Sequence, residues 1–299
     1  MIQHHQASPT NPTRVVLLGG SGFVGQNLSS HLQSAGIKSL SLSSKDVNLI
    51  HADAIDKLRR IIQKDDAVVV ASALTPDKGK DIGTFMRNLH MVEHLSAVFE
   101  TNPCAHIIYI SSDGVYADGE NPIRETTPTN PGNLYGWMHV AREQMIQYAA
   151  QKHQVPIMLL RPCAIYGAGD THNSYGPNRF CRAALGDGII KLFGNGEEKR
   201  DHLFVDDFSR MIIACLQHRS AGVLNVASGK SVSFFEVAEL VARLSQRPVK
   251  VEGTPRQNPI THRHFDVTEQ IKAFPTFSYT PIEKGIAATI AGLRKKEAA

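Results

Sequence analysis

The stretch "RVVLLGGSGFVGQNLSSHLQSAG", residues 14–36, constrains this chain more than any other part of it. An aliphatic run reads as a buried strand, the glycines after it as a tight turn, and the periodic residues up to Gly36 as a helix closed by glycine. Gly19, Gly22 and Gly25 stand at GxxGxxG spacing across that turn. Glycine lets the turn close and lets the backbone approach an anion, while the helix N-terminus supplies free N–H groups and the positive end of its dipole. In this context the turn points to the pyrophosphate of a dinucleotide; the alternative is a purely structural turn.

The same alternation continues. "KSLSLSS", "KDDAVVVASAL", "AHIIYISS" and "VPIMLLRP" read as strands, with "TFMRNLHMVEHLSAVFE" and "LYGWMHVAREQMIQYAAQK" as helices between them. Strands alternating with helices predict an α/β fold with a doubly wound parallel sheet and right-handed crossovers. After Gly167 the texture changes to the aperiodic "YGAGDTHNSYGPNRF". Further on, Ser233 and Glu236 form a capping box before an apolar stripe. The expected organisation is a flexible leader over 1–12, a dinucleotide-binding domain over 13–167 completed by part of 201–227, and a smaller α/β substrate lobe over 168–299.

Composition narrows the partners. The chain has 299 residues, a formal charge of +4 and 20% charged residues. Its densest basic runs, "KLRR" and "LRKKE", read as solvated helix faces, so no nucleic-acid partner is expected. No apolar run reaches the ~20 residues of a membrane span, and the opening residues lack the apolar stretch of a secretory leader. Cys104, Cys163, Cys181 and Cys215 show no metal or redox spacing and read as reduced thiols of a cytoplasmic protein. The 14 histidines contain no HExxH, and no metal site is expected.

The second strand of a dinucleotide fold usually ends in a carboxylate that selects NAD through the adenosine ribose. Here it ends Ser43-Ser44-Lys45. Hydroxyls and a cation suit a 2′-phosphate, so NADP is expected over NAD. Asp46 is a late substitute for the missing acid, and a plain polar loop is the third reading. On the later helix, Tyr135 and His139 are four residues apart and project to one face. Ser112 ends the buried strand "IIYIS", and strand ends of this kind line the ligand crevice.

With "GGSGFVG", "ISSDGVYADG", "ETTPTNPGNLYGWMH", "LRPCAIYG", "LFGNGEEKRDHLFVDD" and "LNVASG", the chain resembles an extended short-chain dehydrogenase/reductase of the nucleotide-sugar epimerase/dehydratase family over roughly residues 13 to 290. The resemblance implies a Rossmann fold and an NAD(P)-dependent oxidoreductase or epimerase acting at C4 of a nucleotide-linked sugar. It makes Tyr135 the acid/base, Ser112 the partner of the same sugar oxygen, and His139 the occupant of a position where the family keeps a lysine. That lysine binds the nicotinamide ribose and lowers the tyrosine's pKa. A histidine, with a reference pKa of about 6.5, carries the same charge only part of the time at neutral pH.

The resemblance also assigns a cofactor set. At the turn and adenosine end it comprises Gly19, Gly22, Phe23, Val24, Gly25, Ser43, Ser44, Lys45, Asn48 and Leu49. At the nicotinamide end it comprises Ala71, Ser72, Ala73, Asn88, Tyr135, His139 and Pro162. The substrate set is Ser112, Asp113, Asn178, Arg179, Arg200 and Arg256, with the last two arginines gripping the diphosphate.

Asp113-Gly114 stands where dehydratases have Asp-Glu, which disfavours dehydration, and Ala164 replaces an asparagine common in epimerases. A 4-keto-6-deoxysugar nucleotide reductase is the nearest alternative, and a non-catalytic NADP-sensing or RNA-binding protein on the same fold is the more distant one. Homodimerisation through the two helices flanking the active-site strand is the family-level expectation.

Overall fold

The computed structural model describes residues 2–297. In chain order, its first elements are β1 (Gln3–His4), β2 (Arg14–Leu18), α1 (Phe23–Ser34), β3 (Ser39–Leu42), α2 (Asp53–Ile61) and β4 (Asp66–Val70). These lead into α3 (Ile82–Phe99), β5 (His106–Ile110), α4 (Leu134–Gln151) and β6 (Ile157–Pro162). Then come β7 (Ala164–Tyr166), α5 (Pro177–Leu185), β8 (Ile189–Phe193), β9 (Lys199–Phe204), α6 (Val205–Gln217) and β10 (Ser220–Val226). The chain continues with β11 (Ser231–Ser233), α7 (Phe234–Ser245), β12 (Lys250–Thr254), α8 (Thr268–Ala273) and α9 (Ile282–Glu297).

A seven-stranded sheet runs β1-β10-β6-β5-β4-β2-β3. All its pairings are parallel except that of β1 with β10. Alternate residues of β2 serve opposite faces. Val15 and Leu17 pack with Leu28 of α1 and Phe208 of α6, whereas Val16 and Leu18 pack with Leu58 of α2, Leu95 of α3 and Ile146 of α4. Burial on both faces explains why these strands read as unbroken apolar runs. Each fully buried aliphatic side chain contributes roughly 1.5–3 kcal/mol.

A third core joins α5, α7 and α9 around β8, with Phe180, Val237, Ile286 and Ile190 at its centre. The capping box of α7 is present in full: Glu236 N donates to Ser233 Oγ (3.1 Å) and Ser233 N donates to Glu236 Oε2 (2.7 Å).

The leader departs from expectation. Residues 3–4 add an antiparallel strand to the edge of the sheet, Gln6 N donates to His218 O (3.0 Å), and Thr10 N donates to Gln217 O (3.0 Å). The His4 ring lies 2.9 Å from both Ser220 Oγ and Ala273 O. The exposed edge of β10 offers unpaired backbone groups, and the leader satisfies them through its own backbone. Such pairing leaves no apolar pattern in the sequence.

Candidate active site

At the C-terminal end of β2 the chain turns so tightly that side chains are excluded. Gly19 has φ +94°, and a Cβ on it would lie 2.8 Å from the backbone of Ala71 and Ser72. A Cβ on Gly25 would overlap the carbonyl of Gly19. Gly22 caps α1 without any side-chain hydrogen bond, which leaves the helix's first N–H groups for a ligand. These groups open onto a cleft of about 790 Å³, lined at this end by Gly22, Phe23, Val24, Gly25, Ala71 and Ala73. At its far end the cleft is lined by Ser112, Asp113, Tyr135, His139 and Pro162. A backbone cradle with bare N–H groups, opening on a long cleft that ends in titratable side chains, fits a dinucleotide.

The adenosine-side residues named from the sequence stand apart from that lining. Ser43 donates to Asp46 Oδ2 through both N (2.8 Å) and Oγ (2.7 Å). These bonds hold the Asp46 carboxyl below its ordinary range. Ser44 and Lys45 are exposed. Asn48 Oδ1 accepts from Ile50 N (3.2 Å), and the Leu49 side chain is buried in the core. Asn88 is a clamp on the loop after β4: its Oδ1 accepts from Leu74 N (2.8 Å) and its Nδ2 donates to Leu74 O (3.0 Å).

The other end of the cleft is assembled by α4. Asn133 Oδ1 accepts from Gly136 N (3.0 Å) and starts the helix. Gly136 then lets that first turn dock on the turn that follows β5, since a Cβ there would overlap the Gly114 carbonyl. This docking brings Tyr135 beside Ser112. Ser112 Oγ accepts from Gly114 N (3.0 Å) and donates a long bond to Asp113 Oδ1 (3.5 Å), one weak enough for a substrate oxygen to replace. Burial pushes the Tyr135 phenol up to about 12, opposed by the Ser112 hydroxyl and the charge of Arg142. Asp113 is also raised by burial, although Arg263 donates to its Oδ2 (3.2 Å) and its carbonyl (2.6 Å).

His139 differs from its expected part-time charge. It is 2% exposed, its Nδ1 is 2.8 Å from the Tyr109 hydroxyl, and its ring meets Tyr135 edge-on at 4.7 Å. Its Nε2 is buried without a partner. Burial first, then the charge of Arg142, holds its pKa well below 6.5. The imidazole is therefore neutral at physiological pH. Sequence reasoning had not singled out Arg142 or Tyr109. The available signal was a charged residue three positions after His139 and seven after Tyr135, on the same helix face.

The distal candidates divide. Arg200 donates to Thr261 Oγ1 (2.9 Å), to Lys199 O (3.0 Å) and to Thr261 O, all neutral acceptors, and burial together with neighbouring Arg263 lowers its pKa. Among the described residues no carboxylate lies within ion-pair reach of it. Arg256 is already neutralised, by Glu198 at 2.6 Å and by Glu197. Asn178 is committed too: its Oδ1 accepts from Gly167 N (2.9 Å) and its Nδ2 donates to Asp170 Oδ2 (2.7 Å), pinning the loop before α5. Arg179 is exposed on α5, and Ala164 is exposed on the cleft wall. No helix among the described residues is long and apolar enough to cross a membrane.

Comparison with known proteins agrees with this fold. The NAD dependent epimerase/dehydratase family matches residues 15–227. The ADP-L-glycero-D-manno-heptose-6-epimerase of Cupriavidus pinatubonensis is 24% identical over 257 residues, covering 76% of each chain. The dTDP-L-rhamnose 4-epimerase of Burkholderia thailandensis is 26% identical over 168 residues, covering 54% of this chain and 46% of that one. Among solved structures, a GDP-L-fucose synthetase from Naegleria fowleri bound to NADP superposes with a TM-score of 0.88 at 18% identity, covering 99% of this chain and 98% of that one. The UDP-glucose 4-epimerase of Thermotoga maritima with UDP-glucose gives 0.83 at 17% identity, covering 95% of this chain and 99% of that one.

Proposed function

The chain belongs to the NAD dependent epimerase/dehydratase family, and on that premise we propose that it is an NAD(P)-dependent enzyme acting at C4 of a nucleotide-linked sugar. One observation carries the reading: the glycine cradle, Ser112 and Tyr135 line a single cleft. A nicotinamide bound there supplies hydride acceptance and donation. Tyr135 then moves the proton of the sugar oxygen, taking it as the alcohol is oxidised and returning it as the ketone is reduced. Ser112 donates to that oxygen by giving up its long bond to Asp113 Oδ1. The relatives act at C4 or C6 by name, and the C4 assignment follows the family resemblance, with product analysis deciding between the two carbons.

Within the substrate site, Arg200 is the arginine assigned to the diphosphate: it is half-buried where Arg179 is exposed, and unlike Arg256 it has no carboxylate partner among the described residues. Arg256 braces the loop carrying Glu197 and Glu198. NADP is favoured over NAD because the second strand ends without a free acid and Lys45 is exposed. A second reading, a ketoreductase, is favoured by the Tyr135 phenol itself: at about 12 it holds its proton at neutral pH and is ready to donate it.

The test incubates the purified protein and either dinucleotide with UDP-, dTDP-, GDP-, ADP- and CDP-sugars and reads the products by NMR. Inversion or reduction at C4 is expected with at least one. Chemistry confined to another carbon, or binding without any conversion, contradicts the reading.

A further inference from the structure

Arg142, with Tyr109 and His139 beside it, is left without a task by the reading above. Its side chain is 0% exposed. Its NH1 donates to Asn88 Oδ1 (3.0 Å) and its NH2 to Ser72 O (2.7 Å), both neutral acceptors. Among the described residues, no carboxylate lies within ion-pair distance of it. The contrast with its neighbours is sharp. Glu143, the next residue, is paired with Arg161 at 2.6 Å, and Asp113 is bonded by Arg263. A buried charge without a counterion is costly, and chains retain one where its field is used.

The guanidinium sits 5.4 Å from the centroid of the Tyr109 ring. The Tyr109 hydroxyl in turn is 2.8 Å from His139 Nδ1, and His139 meets the Tyr135 ring edge-on. The order of contact is thus Arg142, Tyr109, His139, Tyr135. Burial keeps the Tyr109 phenol protonated. Its proton needs an acceptor, and His139 Nδ1 is the only one within reach among the described residues. Tyr109 O–H therefore donates to Nδ1, which places the imidazole proton on Nε2. That Nε2–H is the buried group without a partner, on a residue that lines the cofactor cleft.

We propose that two tasks usually combined in one cation are divided here: neutral His139 offers a hydrogen-bond donor to the cofactor through Nε2–H, Arg142 supplies the permanent positive charge behind Tyr135, and Tyr109 is the positioning residue that fixes the imidazole tautomer. The proposal rests on Tyr135 being the acid/base. The other charged groups whose fields reach this cluster are Asp113 and Asp77, acting on Tyr135, and Glu143, acting on Tyr109. All three carry cationic partners: Arg263, Lys78 and Arg161 respectively. Arg142 is left as the uncompensated charge.

The test compares the parent with Arg142→Met, Arg142→Lys, Tyr109→Phe and Tyr135→Phe. The readouts are the pH–rate profile of sugar oxidation, tyrosinate titration by near-ultraviolet difference absorbance, and dinucleotide titration. At an effective dielectric of about 20, losing a unit charge that acts through one intervening layer of side chains shifts a pKa by about one unit. Arg142→Met is therefore expected to raise the apparent pKa for oxidation by about one unit, and Arg142→Lys by clearly less. Tyr109→Phe should weaken dinucleotide binding about five- to tenfold with little change in that pKa.

Should Arg142→Met fail to fold, Arg142→Gln removes the same charge while keeping an N–H donor. An Arg142→Met or Arg142→Gln profile identical to the parent's, with Tyr135→Phe inactive, overturns the division of tasks alone. Undiminished turnover in Tyr135→Phe overturns the acid/base reading beneath it.

Discussion

The two ends of the cleft are built from different material. At the glycine end the recognition surface is backbone: Gly19, Gly22 and Gly25 contribute an absence of side chain, and the groups facing the cleft are N–H groups at the start of α1. At the Tyr135 end it is side chain. A phenol, a hydroxyl and an imidazole converge from α4 and the turn after β5, and their properties are set by neighbours distant in sequence. A backbone site tolerates almost no added atom, whereas a side-chain site can exchange its parts as long as charge and hydrogen bonds are replaced. On the reading proposed above, a neutral His139 backed by Arg142 is such an exchange.

The contrast breaks first, and most severely, at Gly25. Gly25→Ala places a methyl on the Gly19 carbonyl, a strain of about 1–3 kcal/mol. It should lower the melting temperature and weaken dinucleotide binding about tenfold or more. Calorimetry with dinucleotide titration checks both, and a variant that binds as the parent does contradicts the account of the cradle.

The distal arginines sharpen the comparison at the next level. Arg200→Ala should weaken nucleotide-sugar binding by about 1.5–3 kcal/mol, the loss of a charge-assisted bond. Arg256→Ala should cost much less affinity, because Glu197 and Glu198 already hold that guanidinium. The reverse ranking in isothermal titration would show that the wrong arginine has been assigned.

Protonation provides a third test. His106 is pushed down to about 4 and His202 to about 3 by burial, and His139 lies well below 6.5. In the unfolded chain each titrates near 6.5, so below that pH the unfolded state binds protons that the folded state refuses. The stability is present above pH ~6.5 and declines as the pH falls, by up to about 1.4 kcal/mol per unit for each group until its folded pKa is reached. Urea midpoints measured from pH 7.5 down to 5 should fall accordingly, and His202→Leu should flatten the slope by about a third. A slope unchanged in that variant would mean that His202 is charged in the fold.

The smallest effect belongs to the adenosine side. Lys45→Ala is expected to weaken NADP about two- to fivefold and leave NAD unchanged, as befits one exposed charge. Equal effects on both dinucleotides would remove Lys45 from 2′-phosphate recognition.

Legibility in the sequence followed the same division. The glycine turn, the buried strands and the Ser233–Glu236 box announce themselves because each depends on residues a few positions apart. The pairing of residues 3–4 with β10 was hidden because backbone groups make it, and backbone is the same in every residue. Tyr135, Ser112 and His139 were legible as a set through resemblance, yet the charge state of His139 was not. Burial and Arg142 decide it, and burial is a property of the whole fold. The partners of Arg256 were hidden for the same reason. Its spacing suited a diphosphate ligand, while the carboxylates that neutralise it stand far back in the chain, in "GNGEEK". Asn178 likewise had the right place in the sequence but spends both ends of its amide on the loop beside it.

The central claim is that Tyr135 moves a proton for hydride exchange with a nucleotide-linked sugar. Its most direct test mixes dinucleotide-loaded protein with a responding nucleotide sugar in a stopped-flow spectrometer and follows the absorbance of the reduced nicotinamide. The parent is expected to show a change in that band within a single turnover. Tyr135→Phe should bind both ligands with parent affinity and slow the change by about 100- to 10,000-fold, the usual contribution of a general acid/base. A Tyr135→Phe trace that overlays the parent's would contradict the account.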